Sequence, residues 1–443
     1  MNGLLTAIRW SFSVIQKELI MFIKPTQNAL SSRLKCFFSF FSFSLLFLLI
    51  CLSASAKQPV IATYYVAASN PVAVSHLPAK KLSHVLYAFI GLCGDNSGAD
   101  DATQKAMVIA CKGKKPYSAV LYNEKKVIAE LHAFSTLKQQ HPHLRILPSF
   151  GGWTLSQPFH GLAKSESARK HFVQSAVKLI SHHDVFDGID IDWEYPGGAG
   201  NSQKELKGEK AQNEKQVFTL LMQELRAGLD TLQQNTGRDY QLTAAVSGSV
   251  AKSQAIDWQK TIPFMDYVFV MSYDFAVGDG RAGHHTNLFR SDENSLSAEG
   301  MINNLMNIGV PAHKLVLGIA FYGRGWNYRN WKNNGFEGSN NAVSTGSYVY
   351  KDLNTNPPSG YVYGYDSHAE AAYFYNAQTK GFISFDNLRS TKAKTDWSKS
   401  KGLAGVFSWQ IMQDNGDLLD AMYQGMHAHH KKSDSSDRIV NKH

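Results

Sequence analysis

The chain of 443 residues is long enough for one large barrel or for two or three ordinary domains. Its 44% hydrophobic and 18% charged residues are typical of a globular protein. The formal net charge is +9, but residues 1–56 carry five Lys or Arg and one Glu, so they account for four of these charges and leave +5 for the rest. So weakly basic a chain calls for no nucleic-acid partner.

The N-terminal region is typical of a secretory signal peptide. An apolar run over residues 37–52 is followed by Ala54 and Ala56, the small residues of a cleavage site. We therefore predict that residues 1–56 are removed and that the mature protein is secreted, to the periplasm or the medium. The apolar run approaches spanning length, so a retained membrane anchor is the alternative, although we expect no stable membrane association.

The number and spacing of the cysteines agree with the prediction that the protein is exported. Of the four cysteines, only Cys93 and Cys111 lie beyond the predicted signal peptide. Two cysteines 18 residues apart in an oxidising compartment favour one local disulfide over two free thiols. The sequence contains no Cys-x-x-Cys motif or Cys/His array, so we predict no metal site and no cofactor.

Short apolar strands alternate with amphipathic helices along the mature chain. Segments with the apolar, β-rich character of buried parallel strands are residues 60–66, 85–90, 145–150, 188–192, 241–247, 267–271, 315–320 and 405–409. Helical periodicity lies between them, for example over residues 167–181, 215–231 and 297–308. Eight such repeats predict an α/β protein, a (β/α)8 TIM barrel. A doubly wound sheet would need a glycine-rich turn after its first strand, and none is there.

The interval between the seventh and eighth predicted strands is too long for one loop and helix. It is rich in Asn, Gly, Ser and Tyr and contains short β-like segments at residues 346–350 and 361–365. We predict a small α+β insertion, residues 327–384, within a domain that spans residues 57–426. The insertion would stand on the rim of the barrel, where barrel active sites lie. Residues 427–443 are rich in His, Lys and Ser and predict a disordered tail.

Three carboxylates alternate with apolar residues in the segment Asp-Gly-Ile-Asp-Ile-Asp-Trp-Glu-Tyr, residues 187–195. On a strand, side chains two residues apart share a face, so Asp190, Asp192 and Glu194 lie within about 7 Å of one another. Like charges at this spacing cannot all be ionised in a partly dry site, so at least one carboxyl holds a proton near neutral pH. A protonated carboxylic acid is what glycosidic bond cleavage needs. The alternation argues against an acidic loop, and the spacing argues against a calcium site.

This segment resembles the Asp-x-x-Asp-x-Asp-x-Glu signature of family 18 glycoside hydrolases, the chitinases. Other motifs of that family stand in the expected order between residues 60 and 426, and they are Ser-Phe-Gly-Gly-Trp from Ser149, Met-Ser-Tyr-Asp-Phe from Met271, Tyr-Gly-Arg-Gly-Trp from Tyr322, and Phe-Ser-Trp ending at Trp409. The resemblance is to bacterial chitinases that carry an α+β insertion after the seventh strand. It implies an endochitinase-type enzyme whose partner is chitin or chito-oligosaccharides.

The resemblance also implies a mechanism in which the substrate supplies its own nucleophile and anomeric configuration is retained. Glu194 would be the general acid, and Asp192 would stabilise the charge of an oxazolinium intermediate. Asp190 would share a proton with Asp192, and Tyr273 would hold the sugar's acetamido group for attack.

Further residues are expected to bind substrate. Trp409 would be the platform beneath the distorted sugar, and Trp153 would stack a sugar on the leaving-group side, rather than pack in the core. The other expected substrate-binding residues are Met271, Asp274, Tyr195, Arg324, Tyr64 and Ser149. Of these, Tyr64 and Ser149 would hydrogen-bond Asp190, while Arg324 would either contact substrate or form an internal ion pair. Asp187 faces away from the cleft and is expected to make a structural hydrogen bond.

Two other functions use the same fold and motif. One is a chitin-binding lectin, although lectins of this kind typically lack the acid at the position of Glu194. The other is an endo-β-N-acetylglucosaminidase that acts on glycoprotein N-glycans, although an insertion that deepens a long groove favours a linear polymer. Ala68 departs from the family pattern, since relatives carry a tryptophan platform there, and this favours soluble chito-oligosaccharides as substrates. We expect a monomer.

Overall fold

The computed structural model describes residues 58–68, 71–201, 204–293, 295–327 and 341–428. The compact body of the protein begins at Pro59. The predicted signal peptide lies outside the described residues, and so does the predicted tail beyond residue 428. Within the described ranges, no helix has both the length and the apolar character needed to cross a membrane.

Strands and helices alternate as the sequence predicts. The described residues form the strands β1 (Val60–Val66), β2 (His84–Leu92), β3 (Ala119–Val120), β4 (Arg145–Gly151), β5 (Gly188–Asp192), β6 (Gln241–Ser247), β7 (Tyr267–Met271), β8 (Leu315–Ala320), β9 (Tyr322–Asn327), β10 (Val343–Val349), β11 (Val362–Asp366), β12 (Ala371–Asn376), β13 (Gly381–Phe385) and β14 (Gly405–Trp409). Their α-helices are α1 (Pro71–Ser75), α2 (Asp101–Ala110), α3 (Glu124–Gln140), α4 (Gln157–Leu162), α5 (Glu166–His182), α6 (Glu209–Thr236), α7 (Val250–Ser253), α8 (Trp258–Thr261), α9 (Ala298–Asn307), α10 (Tyr350–Thr355), α11 (Leu388–Ser400) and α12 (Asp417–His427).

Eight parallel strands close into a barrel. Their order around it is β1, β2, β4, β5, β6, β7, β8 and β14, and β14 pairs with β1 to complete the circle. The (β/α)8 prediction is therefore confirmed. Six of the eight predicted strands have the predicted bounds, whereas β2 is longer by three residues and β4 by one. The short strand β3 adds to the edge of β2 in the antiparallel direction.

Side chains alternate between the two faces of each barrel strand, and this alternation forms two apolar layers, one inside the barrel and one outside it. Inward side chains such as Tyr64, Leu147 and Phe407 fill the barrel. Outward side chains such as Ile189 and Ile191 pack in the layer between the strands and the helices. Because successive side chains on a strand point to opposite faces, the acidic residues between these isoleucines must face into the barrel.

Helices α5 and α6 extend the predicted helices 167–181 and 215–231, whereas α9 is one residue shorter at each end than the predicted 297–308. The hydroxyl of Ser165 accepts a hydrogen bond from Ala168 N at the start of α5, and that of Ser297 accepts one from Gly300 N at the start of α9. Helix α6 ends at Gly237, whose φ of +71° suits a residue without a side chain. Helix α12 ends at His427, where the predicted tail begins.

The insertion after β8 forms a five-stranded antiparallel sheet in the order β10, β9, β13, β12, β11. The predicted β-like segments 346–350 and 361–365 overlap β10 and β11, although Tyr350 begins helix α10 and β11 starts one residue later than predicted. The sheet starts earlier than the predicted boundary at residue 327, because the chain leaves β8 at Ala320 and enters β9 at Tyr322. It also runs one residue past the predicted end, to Phe385.

Cys93 and Cys111 form a disulfide, with their Cα atoms 5.5 Å apart. Cys111 is the C-cap residue of α2, and Cys93 directly follows β2. The bridge therefore closes a loop that contains the whole of α2 and attaches it to the barrel.

Candidate active site

The strand β5 carries the predicted acids to the C-terminal end of the barrel. Asp190 and Asp192 are 0% and 1% exposed and point into the barrel. Glu194 lies two residues beyond the strand and is partly exposed. The structure thus brings the three carboxyls together at the end of the barrel where TIM-barrel active sites lie.

Asp190 is fixed by three hydroxyl groups. Its Oδ2 accepts hydrogen bonds from Ser149 Oγ at 2.7 Å and from the Tyr64 hydroxyl at 3.3 Å, and its Oδ1 accepts one from Thr243 Oγ1 at 2.6 Å. Burial raises the pKa of Asp190, while the three hydrogen bonds oppose the increase. The contacts predicted for Tyr64 and Ser149 are present. Thr243 was not predicted, because one threonine within an apolar strand forms no motif.

Burial raises the pKa of Asp192 well above its ordinary value, and the charges of Glu194 and Asp190 raise it further. Burial also raises the pKa of Glu194, to about 7. A hydrogen bond with Tyr195 lowers this pKa, whereas the charge of Asp274 raises it further. These directions agree with the prediction that a carboxyl of this group retains a proton near neutral pH.

Two buried polar atoms at this site have no hydrogen-bond partner among the described residues. They are Oδ1 of Asp192, an acceptor, and the hydroxyl of Tyr273, a donor. The two side chains interact electrostatically. Burial is the main cause of the raised pKa of Tyr273, and the charge of Asp192 raises it further. A buried polar group without a partner costs free energy, so this pair indicates a place for a ligand with both a donor and an acceptor.

Aromatic rings surround the carboxyls. Trp409 at the end of β14 is partly exposed and stacks on Phe89, with ring centroids 5.7 Å apart and an angle of 19° between the planes. Trp153 is 48% exposed and contacts the ring of Tyr195 edge-on at 6.5 Å. Trp153 is therefore not a core residue, which was the alternative to a sugar contact. Phe89 was not predicted, because nothing in the sequence connects β2 with β14.

Arg324 of the insertion forms an ion pair with Asp274 of the loop after β7. Its Nε and Nη2 donate to the two carboxylate oxygens at 2.7 and 2.9 Å. Burial would raise the pKa of Asp274, but the two hydrogen bonds and the charge of Arg324, together with His285, whose Nδ1 lies 3.7 Å from Oδ1, hold it well below its ordinary value. Of the two roles left open for Arg324, the structure shows the internal ion pair. Met271 lies in the apolar cluster that fills the barrel.

The glycines of Ser-Phe-Gly-Gly-Trp permit a close approach of two strands. Gly151 and Gly152 have φ values of +109° and +76°. Gly152 N donates to Asp192 O at 2.7 Å, and a Cβ on Gly151 would lie 2.3 Å from the same oxygen. Any larger residue at position 151 would therefore displace the backbone that carries Asp192.

Asp187 lies away from these groups. Its Oδ2 accepts from Lys138 Nζ at 2.6 Å and from Ile146 N at 2.8 Å, and Arg238 approaches its other oxygen. This is the structural role that its odd spacing from Asp190 predicts.

A barrel with a buried acid of raised pKa at the C-terminal ends of its strands is an architecture of glycoside hydrolases. The model of the family "Glycosyl hydrolases family 18" matches residues 60–414. The chain belongs to this family.

Proteins similar to this chain are named as chitinases. The chain is 35% identical to chitinase A of Pseudoalteromonas piscicida in an alignment of 419 positions, gaps included, that covers 80% of this chain and 50% of that protein. It is 36% identical to a probable endochitinase of Orgyia pseudotsugata multicapsid polyhedrosis virus in an alignment of 384 positions, gaps included, that covers 79% of this chain and 68% of that protein. A solved chitinase from Bacillus thuringiensis superposes with a TM-score of 0.71 at 28% identity, covering 84% of this chain and 70% of that chain. The chain thus spans between half and about two thirds of these relatives' lengths.

Proposed function

We propose that this glycoside hydrolase is a chitinase that cleaves β-1,4 bonds between N-acetylglucosamine units with retention of configuration. The observation that carries the proposal is the unpartnered pair at the site, Asp192 Oδ1 and the Tyr273 hydroxyl. An acetamido group offers one N–H donor and one carbonyl acceptor, which are the partners that these two atoms lack. The names of the relatives support the same substrate.

Glu194 begins the reaction as the general acid. With a pKa of about 7 it holds a proton at neutral and mildly acidic pH, and it gives this proton to the glycosidic oxygen as the bond to the anomeric carbon breaks. The acetamido carbonyl oxygen of the same sugar attacks that carbon from the opposite face. Tyr273 donates a hydrogen bond to this oxygen and holds it in line.

Asp192 stabilises the intermediate. The attack forms an oxazolinium ring with positive charge on its nitrogen, and Asp192 accepts the N–H of that ring. Asp190, which lies below Asp192 and is fixed by three hydroxyls, shares its proton with Asp192 as charge develops. Water then attacks the anomeric carbon, Glu194 takes its proton as the base, and the acetamido group is restored. Two inversions at one carbon give net retention.

The aromatic rings set the direction of the bound chain. Trp409 supports the sugar that is distorted at the bond to be cleaved, and Trp153 with Tyr195 supports the leaving sugars. Ala68, after β1, offers no stacking surface at the far end of the cleft. Soluble chito-oligosaccharides are therefore the preferred substrates. The protein acts outside the cytoplasm as a monomer after removal of residues 1–56, without nucleic-acid or stable membrane partners.

The test is release of fluorophore from 4-methylumbelliferyl chitobioside by the wild type, Glu194→Gln and Glu293→Gln. Glu293 is an exposed glutamate in the loop after β7, so its variant controls for the amide substitution. We expect Glu194→Gln to lose about a thousandfold in kcat, as removal of a general acid does, while Glu293→Gln keeps wild-type activity. Proton NMR of freshly cleaved chitotetraose should show the β anomer first.

The other functions give different results. A folded wild type that releases no fluorophore but binds chitotetraose would be a lectin. A wild type that cleaves the chitobiose core of an N-glycopeptide and leaves chitotetraose intact would be an endo-β-N-acetylglucosaminidase. Appearance of the α anomer first would refute the substrate-assisted mechanism.

A further inference from the structure

The acid loop, residues 193–201, is held by a segment that has no part in the chemistry above. This bracing segment, residues 155–162, follows the turn after β4 and includes α4. Its Ser156 is 3% exposed. The hydroxyl of Ser156 accepts a hydrogen bond from Glu194 N at 2.9 Å and faces the backbone oxygens of Gly152 and Asp192 at 2.8 and 3.1 Å. One side chain thus contacts the main chain of both strand ends that form the site.

The Ser156 hydroxyl supplies the hydrogen-bond acceptor that a neighbouring strand would otherwise offer to Glu194 N. β4 and β5 pair in parallel as far as Gly151 and Asp192, and Gly152 N adds one more bond to Asp192 O. Beyond Gly151 the chain leaves β4, so β4 no longer lies beside Glu194. The next backbone N–H of the ladder belongs to Glu194, and Ser156 Oγ satisfies it. A buried N–H must find a partner, and here a side chain supplies it.

An ordinary helix cap does not explain Ser156. It occupies the N-cap position of α4, but its side chain accepts no hydrogen bond from that helix. Ser165 and Ser297 show the usual arrangement, in which the hydroxyl binds an N–H of its own helix. The hydroxyl of Ser156 is directed at the acid loop instead.

Other residues of the bracing segment hold the same loop. Phe159 stacks on Trp193, with ring centroids 5.5 Å apart and an angle of 18°. His160 Nδ1 lies 2.7 Å from Glu214 Oε1, and Glu214 Oε2 accepts a hydrogen bond from Gly197 N at 2.8 Å. The loop is therefore fixed on both sides of Glu194, and Ser156 makes the contact at Glu194 itself.

We propose that Ser156 is a positioning residue for Glu194. The Ser156 hydroxyl fixes the backbone of the acid, so that its partly exposed carboxyl stays directed at the glycosidic oxygen. The inference rests on the proposed function, since it concerns the acid step. Ser156 is buried behind the strand ends, so its loss should affect the chemical step more than substrate binding. A looser acid loop would admit water to Glu194, and its pKa would fall towards the ordinary value.

The experiment compares Ser156→Ala, Ser156→Thr and Ser83→Ala with the wild type. Ser83 is a matched control because its hydroxyl also accepts from a backbone N–H and donates to a carbonyl oxygen, those of Ile61, at the opposite end of the barrel. We expect Ser156→Ala to lower kcat about tenfold with KM within about twofold. The basic limb of its pH–rate profile should move to lower pH. Ser156→Thr keeps the hydroxyl and should recover most of kcat, while Ser83→Ala should keep both kcat and the limb.

The stability, kcat and pH profile of these variants distinguish a positioning role for Ser156 from a purely structural one. If Ser156→Ala lowers the Tm as Ser83→Ala does but leaves kcat and the pH profile unchanged, Ser156 has a structural role alone and the proposal is wrong. If Ser156→Ala does not fold, Ser156→Cys keeps the shape with weaker hydrogen bonds and must show the same direction of change. A wild type without activity refutes the proposed function separately. In that case 13C NMR titration of the Glu194 carboxyl still tests Ser156, and an unchanged pKa in the variant overturns its role.

Discussion

The free energy of unfolding of the Glu194→Gln variant tests, without any substrate, whether burial raises the pKa of the proposed general acid. The pKa of Glu194 rises from 4.5 to about 7, chiefly through burial. A carboxyl with a raised pKa makes the folded state bind its proton more tightly than the unfolded chain does, so stability falls as pH increases from 4.5 to about 7 and stays lower above it. With about 1.36 kcal/mol per pKa unit, the cost is at most about 3.4 kcal/mol at pH 8 and less than about 1 kcal/mol at pH 5.

Solvent screening reduces this figure, because Glu194 is partly exposed. We expect Glu194→Gln to exceed the wild type by about 1–2 kcal/mol in free energy of unfolding at pH 8, with a much smaller difference at pH 5. Urea unfolding followed by tryptophan fluorescence at the two pH values gives the difference, and Glu293→Gln serves as the control that should show none. A difference that is equal at pH 5 and pH 8 would refute the raised pKa, whatever the enzyme does with sugars.

Other predictions concern catalysis and stability. Because Glu194 must be protonated and has a pKa of about 7, kcat/KM on the chitobioside should fall about tenfold from pH 6 to pH 8, read after quenching each sample at one high pH; a flat profile would contradict this role. Tyr273→Phe should lower kcat by about ten- to a hundredfold without loss of stability in urea, since the hydroxyl has no partner in the described structure; a clear destabilisation would show a hidden structural bond. Replacing Cys93 and Cys111 with Ser should lower the free energy of unfolding by about 3 kcal/mol, because the bridge closes a loop of 18 residues; a loss below about 1 kcal/mol would contradict it.

The barrel could be predicted from the sequence because each buried strand is a local signal. Six strands have the predicted bounds, since a parallel strand covered on both faces is a continuous apolar run that ends where polar residues begin. The acidic segment is also local. The spacing of Asp190, Asp192 and Glu194 places their side chains on one face of β5 wherever that strand lies in the fold.

The boundary of the insertion could not be predicted in the same way. The segment Tyr322–Asn327 directly follows β8, so its sequence resembles a continuation of that strand. Its pairing with β10 and β13 makes it part of the other sheet. Hydrogen bonds to distant strands decide which sheet a segment joins, and a single sequence does not contain them.

The sequence by itself determined the fold class, the family resemblance and the trio of carboxyls of which at least one is predicted to hold a proton, because these depend on residue type and short spacing. Tertiary structure alone decided the surroundings of those carboxyls: Thr243 beneath Asp190, Phe89 against Trp409, Asp274 as the partner of Arg324, and Ser156 on the backbone of Glu194. These partners come from elements far apart in the chain, and barrel closure brings them within a few ångströms. The pKa of a buried acid depends on such neighbours and on the solvent they exclude, so it is a property of the folded barrel.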